Sequence, residues 1–209
     1  MNTALSLQGL LGTGVVDDRV WTIATHAPMP YPIHYEFEYG KGALCIRHPL
    51  ESILSVLHMR GSRTHNKSLA GDVHLENPEL WNSFVTYQLG CWISFHDYWL
   101  NKAKTDKIPL FLFRYEDVKK DLSVVMKDLF RFVIGNQDLE GSYIFKKIDA
   151  LKIQEAKQVY KPRTKARSTI EHFTEEQLAF VKDKAGHILD FFGYSFEEGK
   201  ITTLPTENL

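Results

Sequence analysis

Arg47-His48-Pro49 closes an apolar run, and Ser55 follows the arginine by eight residues inside an apolar-periodic segment. A guanidinium is a planar fork of donors that suits a phosphate. Pro49 sits where a first-turn proline belongs, so the free N–H groups of a helix starting there face the same space. Ser55 adds a hydroxyl if its helix face turns toward that space; otherwise it bonds the carbonyl four residues back. A phosphate monoester is the natural ligand of this set. His26, at the end of another apolar run, offers an imidazole suited to removing a proton from a hydroxyl, or else merely bonds a neighbouring carbonyl. Tyr115 follows Arg114 at the end of a third run, and Lys161 to Arg167 is a basic stretch.

These residues need elements to hold them. Val20 to Ala24, Ala43 to Ile46 and Ile108 to Phe113 are short and continuously apolar, as strands buried on both faces of a parallel sheet are. Helical stripes lie between and after them. Ile53, Leu54 and Leu57 follow Pro49; Leu80, Trp81, Phe84, Gln88, Trp92, Phe95 and Trp99 follow Asn77-Pro78. A single stripe runs from Val118 to Val133 and closes at Gly135. Thr174 and Gln177 read as a capping box for a last helix ending near Gly193. Alternating strands and helices predict an α/β fold with a parallel sheet flanked by helices, as one domain over residues 1–199 with a loose tail at 200–209. In such sheets ligands sit beyond the carboxyl ends of the strands, where His26, Arg47 and Arg114-Tyr115 all fall.

The totals narrow the partners. With 209 residues and a formal charge of −1, no whole-molecule field recruits nucleic acid, and an anion site has to be built locally. No apolar run reaches the roughly 20 residues a membrane span needs, and no signal-type segment opens the chain, so a cytoplasmic location is expected. Cys45 and Cys91 read as two reduced, buried thiols. The nine histidines are scattered without metal-ligand spacing, so no metal is expected.

Four landmarks in order carry a resemblance: Thr25-His26-Ala27-Pro28, Arg47-His48-Pro49 with Ser55, Arg114-Tyr115-Glu116-Asp117, and His172-Phe173-Thr174. Together they resemble the sulfotransferase family that uses 3′-phosphoadenosine 5′-phosphosulfate (PAPS), across residues 20–190. The resemblance implies a P-loop NTPase-like fold and sulfuryl transfer to a hydroxyl or amine of a small-molecule, glycan or protein acceptor. It implies that His26 is the general base and that Arg47 and Ser55 bind the 3′-phosphate. Tyr115 would line the adenine pocket. Arg163, Lys165 or Arg167 would close over the 3′-phosphate, with a solvated basic loop an equally good reading.

The sequence also departs from that family. The Pro-Lys-x-Gly-[ST]-[ST] loop for the 5′-phosphosulfate is not found, although Asn2-Thr3 matches its last residues and makes Thr3 a candidate contact. Ala24 stands where the family usually has lysine, and Ser168 to Glu171 replaces a Gly-rich pattern. The first reading of these losses is a truncated enzyme whose first strand and loop lie upstream of Met1. The alternative is a non-catalytic nucleotide-binding or interaction module. A P-loop phosphotransferase is disfavoured because Gly-x-x-x-x-Gly-Lys-[ST] occurs nowhere.

Overall fold

Two of the three apolar runs become paired strands. In the computed structural model, β1 (Gly42–Ile46) and β2 (Leu110–Arg114) lie parallel, with Ile46 opposite Arg114. Their carboxyl ends therefore reach one edge. The structure describes residues 15, 17–26, 28, 38–63, 69, 74–154, 168–197 and 200–203.

Parallel pairing requires a long crossover, and two helices supply it. Helix α1 (Pro49–Ser62) starts at the expected proline; α2 (Pro78–Asp106) is capped by Asn77, whose side chain accepts the Leu80 N–H. Leu44 and Ile46 pack against Leu50, Ile53 and Leu54 of α1 and Trp81, Val85, Leu89 and Trp92 of α2. Leu80, expected on the buried stripe of α2, is instead exposed. The same core takes in Val181, Ala185, Ile188 and Leu189 of a later helix, α6 (Glu175–Phe191). That helix opens with the capping box anticipated from Thr174 and Gln177.

The strands are not buried on both faces as expected. Leu44 and Ile46 point into the core, whereas Ala43 and Cys45 on the opposite pleat are exposed. Cover on that second face lies over β2, where Phe132 meets Phe111 with ring centroids 5.5 Å apart. Cys45 and Cys91 are thus free and exposed rather than buried.

The stripe from Val118 to Val133 divides into α3 (Tyr115–Lys120) and α4 (Leu122–Ile134). Asp121 causes the break, because its carboxylate accepts the Ser123 and Val124 N–H groups and so starts a new helix. Gly135 ends α4 in the left-handed region, at φ 75°, where glycine carries no steric penalty. Lys41 donates to the carbonyls of Phe132 and Val133 there, at 2.6 and 3.1 Å, a cation placed at the negative end of the helix. Helix α5 (Tyr143–Gln154), not anticipated, forms a second small core in which Phe145 and Ile148 meet Met126 and Phe130 of α4.

Two further expectations change. Val20 to Ala24 forms no regular strand. Trp21 is 68% exposed and its ring stands 6.2 Å from Phe130, and among the described residues this segment has no strand partner. The segment expected to be a loose tail begins with a strand. Strand β4 (Lys200–Thr203) pairs antiparallel with β3 (Tyr194–Glu197) directly after α6. No helix among the described residues is long and apolar enough to cross a membrane.

Candidate functional site

The strand-end edge is built around the turn from β1 into α1. The Arg47 carbonyl is held by Trp92 Nε1 at 3.0 Å and lies 3.4 Å from Ser52 Oγ. This fixes the backbone from which the guanidinium extends. The guanidinium lies 4.8 Å from the centre of the Tyr115 ring, a cation–π arrangement. Nη2 donates to Glu51 Oε2 at 2.7 Å, in an ion pair whose side chains are 28% and 15% exposed. Nε is buried and has no hydrogen-bond partner among the described residues. A buried charged donor without an acceptor is costly unless a ligand supplies one.

His48 is the helix cap. Its Nδ1 accepts the Leu50 N–H at 3.3 Å, so this ring nitrogen carries no proton. Burial holds the imidazole down at about 4. The His48 N–H in turn donates to Glu116 Oε1 at 3.1 Å, and Tyr194 donates to Glu116 Oε2 at 2.6 Å. Burial, with the Glu116 charge beside it, pushes the Tyr194 hydroxyl far above the usual tyrosine range. Ser55 lies one helical turn beyond Glu51 on α1.

The two strand-end arginines have different fates. Arg114 is 2% exposed and wholly engaged: Nε and Nη2 pair with the Asp117 carboxylate at 2.7 and 3.2 Å, and Nη1 donates to the Phe192 carbonyl at 3.1 Å. It ties β2 to the end of α6. Arg47 is the one left with a donor to offer.

Among the predicted site residues, Arg47 and Tyr115 are in contact, with Ser55 on the adjoining helix. His26 is exposed, lies outside any strand, and bonds to none of these. The expected strand end at His26 is therefore not formed in the described chain. Thr3, Arg163, Lys165 and Arg167 lie outside the described residues. Sequence reasoning missed Glu51, Glu116 and Thr169. The spacing of Arg47 and Glu51 is the signal that would have found the first pair. Thr169, which donates its hydroxyl to Glu51 from 118 residues away, leaves no local signal. Among the described residues no group of three or more His, Cys, Asp or Glu side chains could hold a metal ion.

A family model described as a sulfotransferase domain matches residues 22–186. The chain belongs to the sulfotransferase family. The match spans the parallel strands β1 and β2, the Arg47 turn and most of α6, and it includes His26. No curated protein and no solved structure matches the chain. The sulfotransferase domain points to sulfuryl transfer in general, and its α/β arrangement here is helix-rich around a small parallel sheet.

Proposed function

We propose that this sulfotransferase domain binds PAPS, or the product 3′-phosphoadenosine 5′-phosphate, with the 3′-phosphate at Arg47. The observation that carries the reading is the buried Nε of Arg47, a charged donor without a partner among the described residues, at the start of α1. Phosphate oxygens supply the acceptor that Nε lacks, and the N-terminus of a helix favours the same charge. Ser55 contributes its hydroxyl from the next turn of α1, and Tyr115 flanks the adenine. One of Arg163, Lys165 and Arg167 completes the charge balance around the 3′-phosphate.

PAPS supplies the sulfuryl group. An acceptor hydroxyl or amine forms the new bond to sulfur while the bond from sulfur to the 5′-phosphate breaks, and His26 takes the acceptor's proton. Such transfer relies on position and electrostatics, and needs no metal where lysine and backbone N–H groups supply the positive potential. A second reading, nucleotide binding without transfer, is favoured by Ala24 at the family's lysine position and by the exposed, unconnected His26.

Calorimetric titration with 3′-phosphoadenosine 5′-phosphate tests the proposal. Arg47→Ala is expected to weaken binding by about 2–4 kcal/mol, the worth of one or two charge-assisted hydrogen bonds. Unchanged affinity in that variant removes Arg47 from the nucleotide site. Turnover of PAPS that disappears in His26→Ala supports the enzyme, and binding without turnover in the parent chain supports the second reading.

A further inference from the structure

Glu51 occupies the third position of α1, where a glutamate ordinarily reaches back to the N–H of the capping residue. Here that N–H, on His48, donates to Glu116 instead. The two Glu51 oxygens serve other partners: Oε2 takes Arg47 Nη2, and Oε1 accepts from Thr169 Oγ1. Thr169 is buried and immediately precedes the short 3₁₀ turn Ile170–His172, with no side-chain hydrogen bond to that turn. The carboxylate is therefore gripped from two sides by residues far apart in the chain.

This arrangement bears on any anion that approaches Arg47. The guanidinium charge is already matched one to one by a carboxylate 2.7 Å from Nη2. A phosphate at Nε lies within a few ångströms of both groups, so repulsion from Glu51 offsets most of the attraction to Arg47. The same ion pair orders the Arg47 side chain, but ordering a partly buried rotamer is a smaller matter than an unmatched charge at this range.

We propose that Glu51 is the affinity-setting residue of the Arg47 site, a built-in counter-anion held in place by Thr169 that a ligand's phosphate displaces from Nη2. The inference rests on the reading of Arg47 as the 3′-phosphate contact. It makes Glu51 and Thr169 determinants of selectivity for ligand charge at this position.

The test is calorimetry on the whole chain and on Glu51→Gln, Thr169→Val, Thr169→Ser and Arg47→Ala, with adenosine 3′,5′-bisphosphate and with adenosine 5′-monophosphate as probes. Glu51→Gln keeps the shape and an acceptor for Thr169 but removes the charge, and is expected to bind the bisphosphate about tenfold more tightly. Thr169→Val, which loosens the carboxylate, tightens it about threefold, and Thr169→Ser restores parental affinity. The monophosphate, lacking the 3′ group, changes by less than about twofold throughout. Unchanged or weaker bisphosphate binding in Glu51→Gln overturns the proposal. If Arg47→Ala binds like the parent, or if neither the parent nor Glu51→Gln binds, the nucleotide reading fails and this inference falls with it. If Arg47→Ala weakens binding while Glu51→Gln does not tighten it, the role of Glu51 alone is refuted.

Discussion

Acid should unfold this protein earlier than its carboxylates alone would require. His48 caps α1, and His96 lies on α2 against Trp92 and Phe192; burial lowers both imidazoles from 6.5 to about 4. Protonating His96 is unfavourable for a visible reason. Its Nδ1 faces the Trp92 carbonyl at 2.7 Å, while Nε2 is buried with no partner among the described residues to receive a new N–H. The unfolded chain takes up protons at both histidines as the pH falls below 6.5, and the folded chain does so only near 4. Their contribution is thus complete above pH 6.5 and is lost on descending through the window between the two values. At pH 5 each histidine favours the unfolded chain by about 2 kcal/mol, or about 4 kcal/mol for the pair. That is a large part of the 5–15 kcal/mol typical of a domain. Urea unfolding followed by tryptophan fluorescence at pH 7 and pH 5, at fixed ionic strength, measures the loss. His96→Met removes one of the two sites, and should reduce the difference between the two pH values by about 2 kcal/mol. A total loss below about 1 kcal/mol, or a His96→Met chain with the parental pH dependence, would refute the assignment of these costs to burial.

Two further outcomes follow from the fold. Arg114→Met leaves Asp117 and the Phe192 carbonyl without their donors, and should cost about 3 kcal/mol in urea unfolding, the lower end for a broken buried pair because Asp117 is partly exposed. Asp121→Ala removes the carboxylate that starts α4, and is expected to lower stability by about 1 kcal/mol, read as a drop in the urea midpoint with an unchanged slope.

The sequence disclosed most where the physics is local. Pro49 after a strand, the Thr174–Gln177 box and Gly135 after an apolar stripe each act within a few residues of themselves, and each element begins or ends where they indicate. Asp121 is also local, yet it was submerged in a continuous apolar period. The stripe repeats correctly across a break that one carboxylate creates. Val20 to Ala24 misled for the opposite reason, since an apolar β-branched run becomes a strand only when a partner strand lies beside it. The site divides along the same line. The Arg47–Ser55 spacing was legible as a candidate phosphate contact, and Arg114 ends its own apolar run just as Arg47 does. Nothing near Arg114 in sequence reveals that the Phe192 carbonyl, 78 residues later, engages its third nitrogen. Thr169 was invisible for the same reason.

Tyr194 has a bearing on when this protein can be finished. Its hydroxyl donates to Glu116, 78 residues earlier, and lies 3.4 Å from the carbonyl of Ile46, 148 residues earlier. The ring also meets that of His48, with centroids 5.2 Å apart. On the ribosome, β1, α1 and β2 all emerge well before Tyr194 does. A nascent chain that stops short of it leaves the Glu116 carboxylate without its shortest hydrogen bond and the His48 cap without its cover. The strand-end edge is therefore completed only once Tyr194 has been made, after the strands and the helix start that it covers.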